Sequence, residues 1–230
     1  GRHVGKAHLD RKPLLFYLGC YVFSPSGAPA ATLALADRLG YRYIDTGALY
    51  RAVAYEVKRQ GIDPENEAGL QDLCRRIQLR FESEGKELRL YSNDVDISDL
   101  IRTPEISMLA SAVSAKSIVR DYLLEVQRDI GQKKAAVFEG RDMGTVVFPE
   151  ADVKFFLDAS SKTRALRRYQ ELNAKSSQSL EEVSEDMRKR DTNDSTRSLA
   201  PLKPAEDAIR IDSSELSVKE VVELMLSHID

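Results

Sequence analysis

Ala135-Ala136-Val137-Phe138-Glu139-Gly140-Arg141-Asp142 joins a short apolar run directly to a cluster of charge. A run this short, apolar on both faces, reads as a buried strand of a parallel sheet. Similar runs stand at Leu14–Val22, Tyr41–Ile44, Val153–Leu157 and Ala208–Ile211. Helical patterns separate them at Ala31–Leu39, Ala48–Gln60, Ile118–Ile130, Ser161–Glu171 and Val218–Leu226. Strand and helix in alternation predict an α/β fold, a parallel sheet with helices on its faces. Thr103-Pro104, Ser179-x-x-Glu182 and Ser217-x-x-Glu220 supply helix starts, because a hydroxyl at the cap satisfies a backbone N–H that the helix itself cannot.

Two segments break this rhythm. Leu79–Glu82 and Glu87–Tyr91, with Gly85 as the turn between them, predict a small antiparallel insert on one edge of the sheet. Asn173–Arg197 is polar, charged and poor in core residues, which predicts a mobile lid.

The charge at the end of the opening stretch has two counterparts. One is Asp45-Thr46-Gly47-Ala48-Leu49-Tyr50-Arg51; the other is Arg190-Asp191-Thr192-Asn193-Asp194-Ser195-Thr196-Arg197. Guanidinium groups bind phosphate oxygens bidentately, and a carboxylate between them can orient them or accept from a sugar hydroxyl. Any one such motif also fits a surface salt bridge of little worth. Three of them favour one nucleotide site, since ligands of such sheets bind at the carboxyl ends of the strands. Asp45 and Arg51 follow the second strand, and Arg141 and Asp142 follow the Ala135–Phe138 strand.

Composition narrows the alternatives. A chain of 230 residues with 42% apolar and 31% charged residues fits one globular domain. A net charge of −3 leaves no basic field for nucleic acid, so local arginines must hold any anion. Cys20 and Cys74 are too few for a disulfide framework, and with His3, His8 and His228 they show no metal-ligand spacing. No metal site is expected from them. Arg11-Lys12-Pro13 followed by apolar residues to Phe23 matches a secretory signal in outline. The run is too short to span a bilayer and fits a buried strand equally well. The strand reading is adopted, with a cytoplasmic location and no membrane partner. Residues 1–12 read as a tail, and 13–230 as a single domain.

The charged motifs carry a resemblance. Tyr43-Ile44-Asp45-Thr46-Gly47-Ala48-Leu49-Tyr50-Arg51, Ile101-Arg102-Thr103-Pro104-Glu105-Ile106-Ser107, Glu139-Gly140-Arg141-Asp142-Met143-Gly144-Thr145-Val146-Val147-Phe148-Pro149 and the segment Arg190–Ala205 are similar to the bacterial cytidylate kinases. These belong to the P-loop nucleoside monophosphate kinases. The likeness runs from about Leu35 to the C-terminus. It implies a five-stranded parallel sheet flanked by helices, a small antiparallel NMP-binding insert at about 66–132 and a helical lid at about 173–197. It implies an enzyme that moves the ATP γ-phosphoryl group to CMP or dCMP with Mg²⁺, acting as a monomer on small nucleotides. The implied cytosine readers are Asp142, Ser111 and Arg120. Taken alone, Ser111 reads as a solvated helix serine. The implied acceptor-phosphate ligands are Arg51, Arg141 and Arg190. Asp45 and Ser24 join the substrate contacts, Asp194 serves the sugar, and Arg197 joins as the lid closes. Arg141, Arg190 and Arg197 are the implied catalytic cations. Arg167 and Arg168 read as helix-face charge, with reach toward ATP as the alternative.

One part departs from the pattern. The family's first strand leads into G-x-x-x-x-G-K-[ST], whose backbone cradles phosphates while its lysine reaches the β and γ oxygens and its hydroxyl binds Mg²⁺. Here the segment is Val22-Phe23-Ser24-Pro25-Ser26-Gly27-Ala28-Pro29-Ala30-Ala31. Without a gap, Val22 takes the first glycine, Ala28 the lysine and Pro29 the hydroxyl. With two residues removed from the following helix, Ser24-Pro25-Ser26-Gly27 lies on the loop, Ala30 on the lysine and Ala31 on the hydroxyl. Neither register supplies a lysine. ATP and Mg²⁺ are thus implied by the family but opposed by this loop. The readings carried forward are a CMP kinase of impaired activity and, as the alternative, a non-catalytic CMP-binding protein.

Overall fold

The computed structural model describes residues 15–20, 28–84, 87–172 and 178–229. Strands β1 (Leu15–Cys20), β2 (Arg42–Asp45), β6 (Ala136–Gly140), β7 (Val153–Asp158) and β8 (Ile209–Asp212) form a sheet of order β2-β6-β1-β7-β8. Every pairing in it is parallel. Leu15–Cys20, from the apolar run that resembled a signal segment, therefore form the central strand, a position that favours apolar sequence.

Period-two alternation divides the core. Val137, Phe155, Leu157 and Ile211 face α1 (Ala28–Leu39) and α8 (Val218–Leu226), packing on Leu35, Val222 and Met225. From the same strand β6, Ala136 and Phe138 face the other way, onto Ile44, Met143 and Val147. A further core joins α2 (Thr46–Arg59) to the insert, with Leu49, Val53, Leu70, Leu90, Val119 and Leu123 almost wholly buried.

The insert consists of α3 (Glu67–Arg76), the antiparallel sheet β3 (Leu79–Glu84), β4 (Glu87–Ser92) and β5 (Val95–Asp96), then α4 (Pro104–Val113) and α5 (Ser117–Gln132). The hairpin register runs from Leu79 opposite Ser92 to Glu84 opposite Glu87; the Gly85 turn itself lies outside the described residues. Helices α6 (Ser161–Leu172) and α7 (Leu180–Thr196) carry a small core of their own, Val183 and Met187 against Ala165, Tyr169 and Leu172. Arg164 of α6 pairs with Asp191 of α7 across it. The start of the expected lid, 173–177, is outside the described residues.

Several boundaries differ from expectation. Helix α1 begins at Ala28, three residues before the anticipated Ala31. Its second residue is Pro29, tolerated in a first turn because the N–H it lacks has no intrahelical partner. Helix α3 was not anticipated, although Asn66 caps it by accepting from the Gly69 N–H at 3.0 Å. Met143–Val147 forms one π-helical turn after β6, a local widening common at functional sites.

Candidate functional site

The site is assembled at the carboxyl ends of β2 and β6. Strand β2 ends at Asp45, whose Oδ1 accepts from the Ala48 N–H at 3.2 Å and so caps α2. Its Oδ2 pairs with Arg51 Nη2 at 2.7 Å, a turn and a half into that helix. A side chain at position 47 would press on both groups, since a Cβ there would stand 3.0 Å from Asp45 Oδ1 and 3.1 Å from Arg51 Nη1.

Strand β6 places Glu139 beside Asp45 in register. The Tyr43 hydroxyl donates to Glu139 Oε2 at 2.8 Å, and Thr46 Oγ1 donates to the Glu139 carbonyl at 2.6 Å. Desolvation, then the Asp45 charge, push the Glu139 carboxyl up to about 8, while Tyr43, Arg51 and Arg141 pull it down. Burial and the two carboxylates keep the Tyr43 hydroxyl firmly protonated. Glu139 stood in the motif, but sequence reasoning gave it no role; the signal available was an acid ending an apolar strand. Gly140 follows it because a Cβ there would lie 2.4 Å from Thr46 Oγ1 and 2.7 Å from Met143.

Helix α7 brings the remaining cations over these strand tips. Asp194, 6% exposed, is the hub. Its Oδ2 lies 3.3 Å from Arg141 Nη1 and 4.0 Å from Arg190 Nε, and its Oδ1 lies 3.7 Å from Arg197 Nη1. Burial, then Arg141, lower the pKa of Arg190, with Asp194 opposing and Arg51 and Arg168 adding repulsion. Its side chain is still 37% exposed, and a guanidinium stays charged in such a setting; the Arg141 and Arg51 charges, second to burial, crowd it from one side. Arg51, Arg141 and Arg190 therefore share one cleft. The Arg51 Nε is buried there without a hydrogen-bond partner among the described residues.

A second group lies beside this cluster. Arg120, from α5, pairs with Asp142 through Nη2, both side chains being nearly buried. Arg120 Nη1 also donates to the Ser114 carbonyl at 3.1 Å, and the Ser114 hydroxyl donates to the Ser111 carbonyl at 2.8 Å. Ser111 meets this group only through its backbone carbonyl at the end of α4, and its side chain is not among the residues that line the pocket described next. The π-helical turn holds Asp142, whose carbonyl accepts from the Val146 N–H at 2.8 Å. Arg128 braces the same turn, donating to the Val146 and Val147 carbonyls at 3.2 Å each. A pocket of about 170 Å³ opens here, lined by Tyr50, Arg120, Leu124, Gln127, Asp142, Val147 and Leu199 among others. Arg197 links the two groups: desolvation, then the Arg120 charge, lower its pKa, while Asp142 and Asp194 oppose.

The donor side reads differently. Val22, Ser24, Ser26 and Gly27 lie outside the described residues, and Ala28 and Pro29 are the first residues of α1. Among the described residues no group of three or more His, Cys, Asp or Glu side chains is placed to hold a metal ion. Arg167 does not point to a nucleotide, because it is engaged by the Ser213 and Leu216 carbonyls at 2.8 and 3.2 Å. No helix of the described residues is long and apolar enough to cross a membrane.

A parallel sheet of this order, with an insert after α2 and an arginine-bearing helix over its strand tips, defines the nucleoside monophosphate kinase type of P-loop fold. The chain matches the cytidylate kinase family over residues 23–230 and belongs to that family. It is 51% identical over 204 residues to a cytidylate kinase of Geobacter sp. (strain M21), covering 87% of this chain and 88% of that one. It is 42% identical to the cytidylate kinase of Coxiella burnetii, with 89% of each covered. Among solved structures, an uncharacterized protein from Eubacterium ventriosum shares the fold at TM-score 0.53 and 14% identity, over 95% of this chain and 99% of that one.

Proposed function

We propose that this chain binds CMP or dCMP as a phosphoryl acceptor and that transfer from ATP is severely impaired. The observation that carries the first half is the gathering of Arg141, Arg190 and Arg197 around Asp194, with Arg51 on Asp45 beside them, next to Arg120 and Asp142. The cations suit a monophosphate, because charge-assisted contacts to phosphate are strong and bidentate. The Arg120–Asp142 pair offers a donor and an acceptor side by side, which suits the ring acceptors and exocyclic amine of cytosine. Asp194 is positioned for a sugar hydroxyl once the phosphate draws the arginines away.

In the family's reaction Mg²⁺ and the loop lysine offset charge on the transferring phosphoryl group. The residues of this chain do not fit that arrangement, since both loop registers place alanine at the lysine position and alanine or proline at the hydroxyl position. One lost transition-state donor typically costs about 10²–10³ in rate, and several lost together need not add. What the chain's own residues supply is the acceptor half: binding, charge neutralisation and exclusion of water by α7.

Separate titrations with CMP and ATP, beside a coupled ADP-release assay, test this. The expected result is saturable CMP binding with turnover far below the roughly 1–100 per second of ordinary kinases. Ordinary turnover would refute the impairment, and failure to bind CMP would refute the acceptor site. The missing lysine favours one further reading, a CMP-binding protein without catalysis, for which CMP binding without any ATP binding is the signature.

A further inference from the structure

We infer that Tyr50 is a positioning residue that holds Arg120 in the orientation that separates cytosine from uracil. This rests on the acceptor-site reading above and adds a specificity device to it. Tyr50 immediately precedes Arg51 on α2, so one helical turn sends an aromatic ring toward the pocket and a guanidinium toward the phosphate cluster. The Arg120 guanidinium carbon sits over the Tyr50 ring, 5.7 Å from its centroid, a cation–π arrangement whose worth grows when water is excluded. Gln127 is 1% exposed and lines the same pocket. Its Nε2 donates to the Leu123 carbonyl at 2.7 Å, so it forms a wall of the pocket beside the Tyr50 ring. The support therefore runs from α2 through Tyr50 to Arg120, and from Arg120 to Asp142.

The chemistry explains why orientation matters. A guanidinium only donates and an ionised carboxylate only accepts. Cytosine presents an acceptor at N3 beside a donor amine, whereas uracil presents N3–H beside a carbonyl oxygen. Against uracil, the Arg120–Asp142 pair faces donor with donor and acceptor with acceptor, and buried polar groups left unpaired this way reject a ligand strongly. That rejection requires a guanidinium that cannot swing aside. The Ser114 carbonyl and Asp142 fix its edges, and the Tyr50 ring fixes its face.

The test is calorimetric titration of CMP and UMP into the full chain and into Tyr50→Leu, Tyr50→Phe and Gln127→Leu, with melting temperatures alongside. Tyr50→Leu removes the ring and should weaken CMP about tenfold while leaving UMP within about twofold, so that the CMP-to-UMP ratio collapses. Tyr50→Phe keeps the ring and should stay within about twofold of wild type. Gln127→Leu also keeps the ring and should likewise stay within about twofold of wild type. An unchanged ratio in Tyr50→Leu, equal losses for both nucleotides, or a Tyr50→Phe variant as poor as Tyr50→Leu would overturn the inference. A wild-type chain that fails to prefer CMP over UMP would overturn the acceptor-site reading itself, and this result is separate from the others.

Discussion

At the proposed acceptor end of the cleft, arginines from the tip of β6 and from α7 face one buried aspartate, and a second arginine–aspartate pair guards the adjoining pocket. At the donor end, α1 opens with Ala28-Pro29-Ala30-Ala31. The first inventory is costly to maintain, since clustered cations repel and their burial is unfavourable. The second carries neither a charged nor a hydroxyl-bearing side chain. On the proposed function, the charged cluster is a site kept for an anionic ligand, and acceptor recognition and phosphoryl transfer are separable because different elements supply them.

Restoring the donor end should have the largest effect. Pro29→Gly, Ala30→Lys and Ala31→Ser together supply the lysine and hydroxyl in the second register and should raise kcat about 10²-fold or more. The ADP-release assay measures it; no gain would mean that the acceptor end is also defective. Next, Arg141→Ala should weaken CMP about 100-fold, the usual scale for truncating one partner of a buried charge cluster. Calorimetry would show whether the loss is that large, and a loss below threefold would detach Arg141 from the phosphate.

Gly140→Ala should cost about 1–3 kcal/mol through overpacking against Thr46 and Met143, read as a lowered denaturant midpoint. A neutral result would mean that the strand tips can shift, and the rigid contrast between the ends would weaken. The smallest effect concerns pH. Glu139 has a folded-state pKa raised from 4.5 to about 8, so the folded chain holds a proton that the unfolded chain releases. Its contribution to stability is full below about 4.5 and is lost as pH rises toward about 8. Glu139→Gln should therefore flatten the fall in melting temperature between pH 5 and about 8.5; a slope equal to wild type would show that other groups carry it.

Much of the fold was legible in advance. The alternation of short apolar runs with helical patterns specifies a parallel sheet, because strands buried on both faces cannot alternate polar and apolar residues. Capping hydroxyls at Ser179 and Ser217 marked helix starts that the structure reproduces. Helix α3 gives a weak signal, because of its ten residues only Leu70, Leu73 and Cys74 are buried. The π-helical turn at Met143–Val147 has no period that a sequence could display.

The candidate site divides the same way. Residue type and position after a strand selected Asp45, Arg51, Arg141 and Asp142, close spacing in a charged segment selected Arg190, Asp194 and Arg197, and the sequence alone also showed that the loop lacks a lysine in either register. Tertiary structure decided the rest: that Asp194 is the shared hub, that Glu139 lies beside Asp45, and that Tyr50 stands behind Arg120. The physical reason is range. Caps, turns and strand tips are set by neighbours within a few residues, whereas a carboxylate shared by guanidiniums from β6 and α7 exists only after strands and helices distant in the chain have packed.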